Sequence, residues 1–441
     1  MTADSPVGVD GTTAASIPER LISGPSDESR LTGKVLFLLA GLAALAALAT
    51  NIILPAFPRI GDGLGVSAQE LGLTLSSFFI AFAFGQLLAG PLSDRFGRRW
   101  LVLAGLAIFS AGSILCAFAG TLPLLILGRV IQALGASAAS VLSRAIARDL
   151  FEGRALARAL ALTMIAGAAA PGFSPLIGSA LDSLFGWRVT FLVVAAFGVG
   201  LALHYSTSVG ETHPADRRPS LKVSAAASAY ARLAINTRFL LPAASVSLIL
   251  GGLYSFFAAA PAIMMGELNF TSLQLGLYFA VTVLIVFAAG FLAPRLAHRW
   301  GQQVIGLLGI LIALAGSILL FAFASAPTLI PFTIALSLYL FGMGLINPLG
   351  TSIALMPFGT QAGLASALLG FMQMGCAAVG ASLASVLPLQ PSAALAVILT
   401  TGSALALLVF LPVAMRQPKA EVQVCIAGEA SGGRERVSAQ D

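Results

Sequence analysis

The sequence predicts an all-α membrane protein of twelve transmembrane helices in two six-helix halves, and three observations carry that expectation. Only 10% of the 441 residues are charged and the mean hydropathy is +0.95, whereas a water-soluble chain carries about 25% charged residues. Twelve mostly apolar runs are long enough to cross a bilayer, whose hydrocarbon core takes about 20 residues of helix. Of the 24 Lys and Arg, 21 fall on one side when successive loops are assigned to alternate faces of a membrane.

The six spans of the first half are 35–57, 71–92, 100–119, 122–143, 156–181 and 188–206, within a unit of residues 34–206. Those of the second half are 240–265, 273–293, 302–325, 329–354, 361–386 and 392–414, within 240–415. The polar segment 207–239 separates them, and its stretch SAAASAYARLAIN predicts a short amphipathic helix on the membrane surface. Residues 1–33 and 416–441 are polar and predict disordered tails, and the start of the chain has no secretory leader pattern. Short cytoplasmic loops accumulate Lys and Arg, so both termini are expected in the cytoplasm of a multi-pass protein of the bacterial inner membrane. A gapless comparison at an offset of 200 aligns GPLSDRFGRRW (90–100) with GFLAPRLAHRW (290–300), which makes the halves a parallel repeat. Such repeats place a transport site between them.

The net charge of +6 comes from the loops, and no soluble basic domain exists to hold nucleic acid. Cys116, Cys376 and Cys425 lack metal-ligand spacing, and His204, His213 and His298 lie near span ends or in loops. With no Ser-His pair, paired Asp or His/Glu set inside the spans, neither an enzyme nor a metal or cofactor is expected.

The turn after span 2 reads GPLSDRFGRRWLVL. Gly90 is expected to let span 2 pack closely and Gly97 to form the turn. Arg95, Arg98 and Arg99 can bond phosphates or helix ends, and Asp94 is expected at a helix N-terminus or paired with cations after span 4, where Arg148 and Asp149 stand. Such a contact would form in one gating state and break in the other. A plain cation-rich turn would explain the arginines alone.

That stretch resembles the signature of the major facilitator superfamily. GRVIQALGASAASVLSRAIARDLFEGR (128–154), with Arg129, Gln132 and Gly135, resembles its drug:proton antiporter branch, although Ala133 stands where a Gly is usual. GAAAPGFSPLIGSAL (167–181) resembles the antiporter motif of span 5, departing from it at Ser174 and Ser179. In it Gly167, Pro171, Pro175 and Gly178 are expected to bend the helix and admit a close neighbour. NIILPAFP (51–58) and GLASALLGFMQMG (363–375) are similar to the bicyclomycin/chloramphenicol-resistance (Bcr/CflA) subgroup. The resemblance implies the major facilitator fold and a monomer that exports small amphipathic drugs by alternating access, with a proton as the coupling partner.

Polar side chains inside spans are expensive and point to function. The resemblance implies that spans 1, 4, 7 and 10 line the cavity. Asn51, Arg129, Gln132, Tyr254, Asn347 and Gln373 are therefore expected to meet substrate, with Phe257 from the aromatic and Met-rich LYSFFAAAPAIMM (253–265). Gln86, Tyr278 and Tyr339 are equally suited to bonding a neighbouring helix. None of the 18 carboxylates lies mid-span, and Asn51 stands where the subgroup has an Asp. An amide neither carries a proton nor neutralises a cation. The expected cargo is thus neutral or weakly anionic and phenicol-like, with coupling through Asp94, Asp149 or Asp182. Two alternatives stay open: a sugar, nucleoside or amino-acid transporter of the same fold, and a non-transporting receptor or scaffold. The second predicts a decayed turn motif; the first-half copy is intact, while the second has Pro294 opposite Asp94 at this offset.

Overall fold

Helices long and apolar enough to cross a membrane number twelve in the computed structural model, which describes residues 32–214 and 223–415. The expected tails fall outside the described residues except at Thr32, which caps the first helix, and Gly33, which begins it.

The first half comprises α1 (Gly33–Asn51), the short α2 (Phe57–Leu64), α3 (Ala68–Phe96), α4 (Arg98–Ala117), α5 (Leu122–Leu150), α6 (Gly153–Phe185) and α7 (Trp187–Ser208). A helix of the connecting segment, α8 (Val223–Ala234), precedes α9 (Thr237–Ala260), α10 (Ser272–Trp300), α11 (Gln302–Ala322), α12 (Leu329–Leu355), α13 (Ala362–Val386) and α14 (Pro391–Ala414). We call the end of the bundle that carries α8 the linker end and the opposite one the far end. The first span breaks at a 3-10 turn, Leu54–Ala56, where Pro55 supplies no donor, and α9 ends in a π-helical turn, Pro261–Glu267, beginning at a proline.

Span 4 was expected to end at 143, where the apolar run stops, but α5 continues to Leu150. Arg144, Arg148 and Asp149 therefore ride on the helix and do not follow it.

The repeat is real, but its structural register differs from the sequence alignment. Both α3 and α10 are 29 residues long. Each opens with a capping box, Ser67 with Glu70 and Thr271 with Gln274, and each stops at a left-handed glycine, Gly97 (φ +93°) and Gly301 (φ +87°). These landmarks lie 204 positions apart, one helical turn beyond the 200 that aligns the arginines. Structurally His298, not Pro294, stands opposite Asp94, and Gln302 stands opposite Arg98.

Within each half two helices meet backbone to backbone. A Cβ on Gly112 of α4 would lie 2.4 Å from the Gln132 nitrogen of α5, and one on Gly316 of α11 would lie 2.6 Å from the Tyr339 nitrogen of α12.

The halves meet along two seams, α3 on α13 and α6 on α10. Every partner in them contributes a glycine: Gly72 faces Ser385, Gly370 faces Gln86, Gly172 faces Val283 and Gly276 faces Leu176. At the far end, Ser272 Oγ donates to Pro55 O (3.1 Å) and Gln69 Nε2 to Leu387 O (3.4 Å), so hydrogen bonds close that end between the halves.

Candidate functional site

Between the halves lie two adjoining voids of about 390 and 330 Å³. They share walls formed by Ser140 and Arg144 of α5, Met164 and Gly167 of α6, Leu250 and Tyr254 of α9, Asn347 of α12 and Gln373 of α13, so they form one chamber. Each is of the size that holds a small ligand. One flank is aromatic, from Phe256, Phe257 and Phe279, and the other carries Phe78, Phe79 and Phe82. Tyr254 joins the two flanks: its ring centroid is 4.8 Å from that of Phe79 and 5.8 Å from that of Phe257.

Four of the seven expected substrate residues therefore come together: Tyr254, Phe257, Asn347 and Gln373. The other three, Asn51, Arg129 and Gln132, do not line either void. They are buried within the first half, where Arg129 Nη1 donates to Ala49 O (3.0 Å) and to Gln132 Oε1. Gln132 Nε2 in turn donates to Ser113 Oγ (2.7 Å), and the Arg129 guanidinium lies 4.4 Å from the centroid of the Phe78 ring, which itself lines the chamber. Asn51 turns back onto its own helix, its Nδ2 donating to Ala47 O (2.8 Å) and to Thr50 Oγ1 (3.0 Å). The reason is helical phase: Thr50, one residue earlier, faces the chamber, so Asn51 lies about 100° around the helix from it. Three buried polar atoms of this cluster, Asn51 Oδ1 and Arg129 Nε and Nη2, have no hydrogen-bond partner among the described residues.

Of the three residues equally suited to ligand or neighbouring helix, Tyr339 OH donates to Ile249 O (2.6 Å) and Tyr278 OH to Thr333 Oγ1 (3.3 Å), both bracing helices. Gln86 lines the chamber beside Gly370.

Ser140, Thr351, Phe79 and, above all, Arg144 also line the chamber, and neither hydropathy nor motif singles them out. The i, i+4 row Ser140, Arg144, Arg148 was the available signal for the polar face of α5. It was hidden because hydropathy ended the span one residue before Arg144.

At the linker end a third void of about 240 Å³ is bordered by the turn motif. Asp94 was expected to pair with a cation after span 4; its ion-pair partner is instead Arg98 of its own motif, at 2.5 Å. Arg98 Nε also donates to Asp149 Oδ2 (3.0 Å) and its Nη1 to Ser93 Oγ, while its backbone N–H donates to Glu211 Oε1 (2.8 Å). One buried guanidinium thus ties α3, α4 and α5, and its helix start holds the segment after α7. Arg95 and Arg99 are exposed, and Arg148 borders the void without an ion pair among the described residues. Gly97 makes the left-handed turn between α3 and α4. Gly90 is not the close-packing glycine expected, since a Cβ there would meet nothing within 4 Å; it borders the void. Tyr230 of α8 closes the other side, its OH donating to Leu87 O (3.3 Å). Burial, with the nearby Asp94 carboxylate adding to it, pushes the Tyr230 phenol up and keeps it a donor.

In the fifth span α6 runs continuously through Pro171 and Pro175. Gly167 and Pro171 line the chamber, whereas Gly178 lies where a Cβ would fall 1.8 Å from Ile52 O of the first span. At the far end Asp182, 1% exposed, has Arg59 as its ion-pair partner at 3.5 Å. Among the described residues no cluster of His, Cys, Asp or Glu could hold a metal ion.

Known proteins are similar to this chain in sequence and in fold. The chain is 28% identical over 393 residues to multidrug resistance protein D of Escherichia coli, covering 87% of this chain and 96% of that protein. It is 31% identical over 293 residues to a chloramphenicol resistance protein of Pseudomonas aeruginosa, covering 64% and 67%. The crystal structure of the human organic anion transporter MFSD10 superposes with a TM-score of 0.66 at 21% identity, covering 88% of this chain and 99% of that one, which shows the shared fold. The pattern of the Major Facilitator Superfamily matches residues 39–381. With twelve apolar helices in two repeated halves around a central chamber, the chain belongs to the major facilitator superfamily of membrane transporters.

Proposed function

We propose that the protein exports small amphipathic drugs, neutral or weakly anionic and phenicol-like, by alternating access. The observation that carries this reading is the chamber between the halves, walled by aromatic rings and the amides Asn347 and Gln373, with no carboxylate among its described lining residues. Such a wall takes apolar bodies of varied shape and offers hydrogen bonds to neutral polar groups, while giving a cation no partner. The named drug-resistance functions of the similar proteins support the same cargo.

Tyr254, Phe257, Asn347 and Gln373 are the cargo contacts in this proposal. Arg129 and Gln132 are positioning residues that hold α1, α4 and α5 together behind Phe78, and Asn51 braces its own helix beside them. The Asp94–Arg98–Asp149 set, with Gly97 and the flanking Gly90, Arg95, Arg99 and Arg148, is the linker-end gate. The excess of cations in loops of that end supports a cytoplasmic placement for it and for both termini. With hydrogen bonds between the halves at the far end, cargo enters the chamber from the cytoplasmic side. A monomer suffices, because the chamber is enclosed by one chain.

Coupling to protons fits the carboxylates outside the chamber: Asp94 and Asp149 at the gate and Asp182, whose two carboxylate oxygens accept no hydrogen bond from the described residues, at the far end. The test is uptake of chloramphenicol into inverted membrane vesicles with and without an imposed pH gradient. Gradient-driven uptake of the phenicol is expected. Gradient-driven uptake of a permanently cationic dye in preference to the phenicol would overturn the cargo assignment.

A further inference from the structure

Among the described residues lining the central chamber Arg144 is the single charged one, and it borders both chamber voids and the void at the linker end. It belongs to the interior of α5, one turn beyond Ser140 on the same face. Among the described residues it has neither a hydrogen-bond nor an ion-pair partner; the ion pairs of this region use Arg98 instead. Arg129, the other arginine within this helix, spends its donors on Ala49 and Gln132 and is shielded by Phe78.

An uncompensated guanidinium in a chamber of low polarity is costly unless an anion completes it. Its planar fork of donors matches a carboxylate or sulfonate through two parallel hydrogen bonds. Asn347 and Gln373, from the opposite half, border the same two voids and bring amide donors to the anion. The apolar surface of Phe256, Phe257 and Phe279 forms the wall of one of those voids.

We propose that Arg144 is the anion-recognition residue of the chamber, and that the preferred cargo is an amphiphile with one anionic head on an aromatic body. The head bonds Arg144, and the body lies along the phenylalanine wall. This rests on the exporter reading of the same chamber and narrows its substrate class. It also gives the guanidinium a role in selection: a cation meets repulsion where an anion meets a fork of donors.

The test uses dansylglycine and dansylglycinamide, which share one aromatic body and differ in charge. Both are titrated by fluorescence against the full chain in phosphatidylcholine nanodiscs, and chloramphenicol uptake is measured in parallel in vesicles. The wild-type protein is expected to favour the acid over the amide by at least about tenfold, the scale of a charge-assisted hydrogen bond. Arg144→Gln is expected to bring the ratio to about one, Arg144→Glu to invert it, and Arg144→Lys to keep a preference for the acid. Because each variant is read as a ratio of two ligands, a partial loss of folded protein leaves the readout intact, and the lysine variant covers a glutamine variant that does not fold.

Equal affinity for acid and amide in the wild type, or an acid preference that survives Arg144→Gln, overturns the assignment. Loss of the acid preference when phosphatidylglycerol is added to the nanodiscs overturns the cargo role in favour of a lipid headgroup. Chloramphenicol uptake without any acid preference leaves the exporter reading standing and removes the anion site. An acid preference abolished by Arg144→Gln, in a protein that moves no phenicol, does the reverse.

Discussion

The two halves share a frame and differ in charge. Both pack their second pair of long helices through a glycine, Gly112 against Gln132 and Gly316 against Tyr339, and both send a polar side chain from that position or one turn before it to a backbone carbonyl of the half's first helix. In the first half that side chain is Arg129, which reaches Ala49 O with help from Gln132; in the second it is Tyr339, which reaches Ile249 O unaided. At the linker end Arg98 joins Asp94, Asp149 and Glu211, whereas the structural counterpart of Arg98 is Gln302 and that of Asp94 is His298. All three ion pairs of the described residues belong to the first half. The difference teaches that one frame can be divided into a half that carries the ion pairs of the described residues and a half that supplies mostly apolar and amide wall.

The sharpest way to break that comparison is at the ion pairs of Arg98. Arg98→Ala leaves Asp94 and Asp149 without their shared cation and is expected to reduce chloramphenicol efflux by more than tenfold. It is expected to lower stability by about 2–3 kcal/mol, below the 3–5 of a fully buried pair because Asp94 is half exposed. Gln302→Ala at the matching place is expected to cost under about 0.5 kcal/mol. Thermal unfolding in detergent, read beside efflux, compares them; equal costs would end the division into a charged and an uncharged half.

Next in size are the glycine contacts. Gly112→Ala and Gly316→Ala each force two backbones apart and are each expected to cost about 1–3 kcal/mol. Similar melting shifts would support the shared frame, and a shift in one half alone would refute it.

The carbonyl braces should differ less. Gln132→Leu takes a partner from the buried Arg129, a charge-assisted bond whose loss is expected to cost about 1.5–3 kcal/mol, whereas Tyr339→Phe is expected to cost about 0.5–1.5 kcal/mol. The reverse order in denaturation would mean that Arg129 finds another acceptor. Smallest are the two capping boxes, where Ser67→Ala and Thr271→Ala are each expected to lower stability by about 1 kcal/mol, measured in the same way.

Much of the frame could be read from composition and pattern. Apolar run length located twelve helices, and the first-half turn was visible as Gly97 between arginines. Residue identity alone could not give helical phase. Asn51 and Thr50 are neighbours in sequence and both polar, yet only Thr50 faces the chamber. Arg129 and Arg144 lie fifteen residues apart on α5, and hydropathy chose the one more deeply set in the apolar run, which the fold uses as an internal brace. The repeat offset was misread for a related reason. Matching arginines favoured 200, while the helix caps and turn glycines, which fix geometry, require 204.

The four glycines of the seams bear on the speed of the cycle. Gly72 and Gly276 occupy matching places on α3 and α10, and each faces a helix of the opposite half, as do Gly172 and Gly370 from the other partners of the same seams. At each of the four a neighbour from the opposite half seats in the notch the glycine leaves, so that an added Cβ would lie at most 2.9 Å from it. Bulk added at any of the four would press on the opposite half, and slower rocking of one half on the other is the expected result.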